Sequence, residues 1–256
     1  MRNKSEVLRF RKQFVYFVQP GGTNQSYNAL ECVYLTIRAN SIYQLLQQGG
    51  AVNHTGTWLS QNQVEYSPAN NCNADGWDEW KLRFQHFTVL GSKINVTYEP
   101  QNAANTGDAD DDTYQTRKEC AEGILFLNKV GGTGIINTTS TMATIQNLPY
   151  QRKGTVKAGI NGIGRGTSLS MKYSAKHFEG VSDVADNATM KGQMDSGMAA
   201  AAQPNERSYF NVGILPTIHA QGLHPPNGIL RINVEYITKL TEATTTNQLT
   251  AGRPDM

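Results

Sequence analysis

Leu90, Ile94, Val96 and Tyr98 alternate with Lys93, Asn95, Thr97 and Glu99 along FQHFTVLGSKINVTYE (84–99), and Pro100 stops further pairing. A period of two over that length predicts a long strand with one wet face. Just upstream, DGWDEWKL (75–82) predicts a short helical turn with Trp77 and Trp80 on one side.

The same alternation recurs elsewhere. Leu8, Phe10, Phe14, Tyr16 and Val18 oppose Arg9, Arg11, Gln13 and Phe17, and Val33, Leu35 and Ile37 share a face in a second strand over 29–38. A helical excursion is expected over 41–48, closed by Gly49 and Gly50. The run Ile124, Leu125, Phe126 and Leu127 reads as a short buried strand, and a helical turn is expected within 138–148. Strands over 150–158 and 167–174 are joined by a Gly-rich link and read as neighbours. The last two strands cover 208–218, with Phe210, Val212 and Ile214 inward, and 229–240, with Leu230, Ile232, Val234 and Tyr236 inward against Arg231, Asn233, Glu235 and Lys239. The polar stretches 51–73 and 101–119 have no period, and the connection 175–206 is too long for a passive turn, which marks it as a contact surface.

Eight strands joined by both short turns and long excursions predict an all-β fold, a single eight-stranded jelly roll of two packed antiparallel sheets with long inter-strand loops. An immunoglobulin-like sandwich is the other sandwich considered, but it lacks the Cys, Trp, Cys spacing. The division is a short basic N-terminal remnant (1–6), the jelly-roll domain (7–244) and a polar C-terminal tail (245–256). Composition agrees, since only 17% of the 256 residues are charged, as suits short strands joined by loops better than helical packing.

Candidate chemistry changes the picture little. Cys32, Cys72 and Cys120 are odd in number and lack C-x-x-C spacing, so neither a disulfide framework nor a zinc site is expected and reduced, intracellular conditions fit. No run of 18 apolar residues suggests a membrane span, and no signal segment is visible. The five histidines are scattered without H-x-H or H-E-x-x-H, there is no G-x-S-x-G, and GINGIGRGT (159–167) lacks the Lys and Ser/Thr of a phosphate loop, so an enzyme is not expected.

Two basic stretches stand out. RFRK (9–12) and QRK (151–153) with Lys157 interleave cations with Phe10, Phe14 and Tyr150, a combination that suits phosphate contact and base stacking, against the plainer reading of solvated strand faces. The candidate nucleic-acid-binding residues are Arg9, Arg11, Lys12, Arg152, Lys153 and Lys157. Candidate interface anchors, on the excursions 41–82, 131–149 and 175–206, are Trp58, Tyr66, Trp77, Trp80, Met190, Met194 and Met198.

The segments GWDEWKLRFQHFTVLGSKINVTYEP (76–100), YQRKGTVKAG (150–159), SMKYSAKHFEG (170–180) and GILRINVEYITKLTE (228–242) resemble, in ordered pattern, the capsid proteins of circovirus-like circular single-stranded DNA viruses, over most of residues 7–244. The resemblance implies a jelly roll with sheets BIDG and CHEF and a virion component that self-assembles from about sixty copies into a small icosahedral T=1 shell around single-stranded DNA. Assembly would take place in the host nucleus or cytoplasm. The alternative is a non-viral jelly-roll binding module, lectin-like or cytokine-like. Such capsid proteins usually begin with a long arginine-rich arm, whereas here only Arg2, Lys4, Arg9, Arg11 and Lys12 stand before the first strand is under way, so the arm is either short or lost. About sixty copies at a net charge of +2 give about +120, far below one charge per nucleotide of a kilobase-scale strand. Packaging therefore needs a locally basic inner surface, counterions or a missing arm. No organic cofactor is implied. The acidic run Asp108, Asp110, Asp111, Asp112 echoes a calcium loop through Asp108, Asp110 and Asp112, although Thr113 stands where Gly is required. A divalent cation at a subunit junction is its functional reading, beside that of a solvated loop.

Overall fold

The computed structural model describes residues 5–18, 33–46, 59–60, 72–100, 122–132, 145–158, 164–195, 200–217, 225–226 and 228–244. Its strands are β1 (Glu6–Val18), β2 (Val33–Arg38), β3 (Leu59–Ser60), β4 (Phe84–Pro100), β5 (Glu122–Gly131), β6 (Gln151–Lys157), β7 (Thr167–Ser174), β8 (Lys191–Gln193), β9 (Ser208–Pro216) and β10 (Gly228–Ala243). One sheet runs β3-β1-β10-β4-β7 with β8 also on β4, and the other runs β2-β9-β5-β6. Every pairing is antiparallel.

With the two- and three-residue strands β3 and β8 set aside, eight remain. Lettered B to I in chain order, they give B-I-D-G in one sheet and C-H-E-F in the other. The fold is therefore the jelly roll expected from the strand pattern, with the sheet composition that the resemblance implies.

The central ladder joins β4 to β10 from Gly228 opposite Pro100 to Ala243 opposite Phe84. Alternation puts Ile94, Val96 and Tyr98 with Leu230, Ile232, Val234 and Tyr236 on the inner face, all buried. Leu35, Ile37, Leu125, Leu127, Phe210, Val212 and Ile214 of the other sheet close the same core. Two side chains tie the sheets together across it. The Tyr236 hydroxyl donates to the Arg38 carbonyl at 2.8 Å, and the Ser92 hydroxyl donates to the Ala39 carbonyl at 2.6 Å. Burial pushes the Tyr236 phenol well above its ordinary pKa, so it remains a donor across the whole working range of pH.

The period of two breaks once in β4. Ile237 faces Gly91 but Thr238 faces Val89, so Leu90 is an extra residue in a bulge. Upstream of it the odd positions Phe87 and Val89 enter the core and Leu90 is only half-buried, which corrects its expected place on the inward row. The expected turn at Trp77–Trp80 is present. Trp77 is buried, stacked on Tyr43 at 5.0 Å and edge-on to Phe87 at 5.7 Å.

Three expectations change. Through Leu46 the stretch after β2 is not helical: Leu46 bridges back to Ile37, and the Arg38 amide donates to the Leu45 carbonyl at 2.7 Å. The strands β6 and β7 are neighbours across the sandwich, in different sheets, and are not hydrogen-bonded strand to strand. Gly154 permits their close approach, because a Cβ there would stand 2.8 Å from the Thr167 hydroxyl. The 175–206 connection is not simply a contact surface. It supplies β8 to the edge of β4 and sends Val184, Met190 and Met194 into the core.

Replacing Trp77 by alanine should cost about 3–5 kcal/mol of stability, since it empties a buried aromatic site. Leu82→Ser, at a position 51% exposed, should change the melting temperature little. Thermal or denaturant unfolding of the two variants checks the contrast, and equal losses would contradict the packing described.

Candidate nucleic-acid interface

The two sheets differ on their outer faces. On β2, β9 and β5 the outward side chains are buried: Thr36, Arg38, Tyr209, Asn211, Leu215, Phe126 and Asn128. They form a closed polar and apolar layer. The Thr36 hydroxyl donates to Asn211 at 2.9 Å, Asn211 to Asn128 at 2.8 Å, and Asn128 to the Pro149 carbonyl at 3.3 Å. Arg38 donates to the Tyr209 hydroxyl at 3.0 Å and to the Pro204 carbonyl at 3.3 Å, and burial lowers its pKa.

Among the described residues the BIDG sheet carries no such cover over its middle. Register sets out rows four strands wide: Arg9, Ile237, Gly91, Ser174; then Arg11, Glu235, Lys93, Lys172; then Gln13, Asn233, Asn95, Ser170; then Val15, Arg231, Thr97, Ser168. Arg9, Arg11, Lys93 and Lys172 are exposed, and Arg231 is partly so. With Glu235 and with Glu99, which lies beside Ile229 in the next row, the stretch from Arg9 to Glu99 holds five cations against two carboxylates, a surplus of three, and Lys239 lies on the same side one row beyond Ile237. Arg11 pairs with Glu235 at 3.0 Å and Arg231 with Glu99 at 3.3 Å. Arg9, Lys93 and Lys172 have no ion pair among the described residues. The rest of these rows is mostly amide and hydroxyl, with Ile237, Val15 and Gly91 as the apolar positions. Such a surface offers phosphate donors without any base-reading arrangement.

The candidates read from sequence divide on this frame. Arg9 and Arg11 lie on the bare face. Lys12 does not: it leaves β1 from the inner side, is 14% exposed and is held by Asp75 at 3.1 Å, so its role is to fasten the 72–76 segment to the sheet edge. Phe10 and Phe14 are core residues, which removes them as stacking partners. Arg152, Lys153 and Lys157 sit on β6, the edge strand of the other sheet. They lie beyond β7, some three strand spacings or about 14 Å from β1. Lys157 pairs with Glu122 at 2.5 Å, and Lys153 donates to the Gln146 carbonyl. The six residues therefore form two separate groups. Lys93, Lys172 and Arg231 were missed as site residues, although the polar phase of β4 and β10 had marked Lys93 and Arg231 as outward.

Among the expected interface anchors, Trp77, Met190 and Met194 are buried inside the protomer, so they are core residues and not surface anchors. Trp80 is half-buried, beside Phe84 at a centroid distance of 6.0 Å and under the Arg83 guanidinium at 5.1 Å. Trp58, Tyr66 and Met198 lie outside the described residues, as do Asp108, Asp110 and Asp112.

No protein-family model and no curated protein matches this chain. Among solved structures it is similar to the BFDV capsid protein solved as a 60-mer, at 10% identity over 100% of both chains with a TM-score of 0.43. It is also similar to a chain of Mud crab tombus-like virus, at 8% identity over 95% of this chain and 92% of that one with a TM-score of 0.42. A Desmodium yellow mottle tymovirus chain matches at 9% identity over 95% of this chain and 91% of that one, with a TM-score of 0.38.

Replacing Arg9, Lys93 and Lys172 together by alanine should weaken binding of single-stranded DNA and lower the logarithmic salt slope by about 2, at about 0.7 per phosphate contact. Lys12→Ala should lower thermal stability and leave that slope unchanged. A salt titration of binding by the purified variants distinguishes them, and an unchanged slope in the triple variant would show that the bare face is not the contact surface.

Proposed function

We propose that this chain is a structural capsid protein, of the circovirus-like kind that its sequence resembles. About sixty copies assemble into a T=1 icosahedral shell around a circular single-stranded DNA genome, and the protein resides in the virion. The observation that carries the reading is the strand order BIDG and CHEF, reached independently of the sequence resemblance, in a jelly roll with one closed outer face and one open, cationic outer face. A shell needs two unlike surfaces, one toward its neighbours and the exterior and one toward the packaged polymer. The open BIDG face has the chemistry for the second.

The charge balance supports an electrostatic, sequence-tolerant role. A surplus of three over the Arg9 to Glu99 rows, in about sixty copies, amounts to about 180 local positive charges, more than the about 120 from net chain charge. The face thus concentrates positive potential where phosphate would lie, and counterions neutralise the remainder of a kilobase-scale strand.

Expression of the full chain followed by negative-stain imaging and nuclease digestion tests this reading. The expected result is megadalton closed shells with a protected nucleic acid that, once released, is degraded by a single-strand-specific DNase and resists RNase. Discrete trimers or monomers free of nucleic acid would contradict it and favour a jelly-roll binding module.

A further inference from the structure

Tyr150 has an unusual combination of properties. It is 68% exposed, the most exposed of the large hydrophobic side chains among the described residues, and its backbone has φ +51°. A bulky residue in the left-handed region is disfavoured where Gly or Asn would sit freely, and an aromatic ring left mostly exposed adds little stability. Neither local backbone preference nor core packing accounts for a tyrosine here.

Its surroundings suggest what does. One side of the ring meets Phe178 edge-on at a centroid distance of 5.8 Å, and Phe178 in turn rests against the buried Tyr173 at 5.8 Å, so the exposed ring is braced from behind. The Lys129 ammonium stands 4.6 Å from the Phe178 ring and 5.6 Å from the Tyr150 ring, and donates to the Lys172 carbonyl at 3.2 Å. Partial burial lowers the pKa of Lys129. Arg152, exposed, lies in β6 opposite Leu127 and shares the Lys129 side of the sheet by alternation. Lys172 carries its own exposed ammonium at the β7 end of the row that holds Lys93 and Arg11. A braced, exposed ring flanked by oriented cations therefore adjoins the end of the cationic face.

We infer that Tyr150 is a base-stacking platform for single-stranded nucleic acid at the edge between β6 and β7, with Lys129 and Arg152 taking the adjacent phosphates. The inference rests on the capsid reading above and adds to it a defined place where the strand leaves the cationic face and is held by a base rather than by charge alone. Stacking on one ring favours no particular base, which agrees with the lack of base-reading groups on the face.

The test compares binding of oligo(dT) with binding of an abasic oligonucleotide of equal length, by fluorescence anisotropy on purified protein. Tyr150→Gly suits the φ +51° backbone and removes no charge. It should weaken oligo(dT) binding roughly tenfold, leave abasic binding and the salt slope unchanged, and so erase the preference for the base-bearing strand. Tyr150→Trp should keep or strengthen that preference. Thermal unfolding confirms that both variants fold, and if Tyr150→Gly is unstable, the loss expected from Tyr150→Leu carries the same comparison. An oligo(dT) affinity unchanged in Tyr150→Gly or Tyr150→Leu, equal losses for both oligonucleotides, or loss of shell formation with oligo(dT) affinity retained would each overturn the stacking site. The last of these would make Tyr150 a subunit contact. If the wild-type protein bound neither oligonucleotide, the nucleic-acid reading and the stacking site would both fail.

Discussion

The pairing of β4 with β10 is the constraint from which the other features follow. It is the longest ladder among the described residues, and it joins residues far apart in the chain, Phe84–Pro100 with Gly228–Ala243. Its inner row, mostly β-branched and aromatic side chains, gives the opposing sheet a surface to pack on, and β1 and β7 lie along its two edges. Because side chains alternate, the same register that sends Ile232 and Val96 inward sends Asn233, Lys93 and Arg231 outward. Core and cationic face are thus two sides of one pairing. A slip of one residue would exchange them.

The asymmetry of the outer faces has an energetic basis. The buried layer on β2, β9 and β5 satisfies its amides and hydroxyls within the protein, through the chain of bonds from Thr36 to Asn128 and the contacts of Arg38 with Tyr209 and Pro204. Buried polar groups need such partners, whereas water serves those on the open BIDG face. The open face therefore has donors to spare. Its two ion pairs, Arg11 with Glu235 and Arg231 with Glu99, are exposed and individually contribute little to stability, so exchanging a carboxylate for a phosphate is not opposed by a large folding term.

Much of this was legible in the sequence because period-two patterning survives wherever a strand has one wet face. The eight long strands, the inward rows of β9 and β10, and the helical turn carrying Trp77 follow from it. What escaped had physical reasons. The bulge at Leu90 inserts one residue and reverses the phase, so Phe87 and Val89 look misplaced until the register is known. The strand β8 is three residues long, too short for any period, and the methionines on either side of it read as surface anchors when they fill the core. Charge alone groups Lys12 with Arg9 and Arg11, although its even position places it with Phe10 and Phe14 on the other face of β1, from which it reaches out past the sheet edge to Asp75. Lys129, Tyr150 and Phe178 are far apart in sequence: the β5–β6 pairing sets Tyr150 beside Lys129, and the closing of the two sheets adds Phe178.

The central claim is that the outer face of the BIDG sheet is the surface presented to packaged nucleic acid. The most direct measurement is a cryo-EM reconstruction of purified assembled particles, read for which sheet faces the lumen. The account predicts that the face bearing Arg9, Arg11, Lys93 and Lys172 lines the interior, with nucleic-acid density against it continuing toward the β6 and β7 edge. Particles in which that face pointed outward or was buried between subunits, with density held elsewhere, would contradict it.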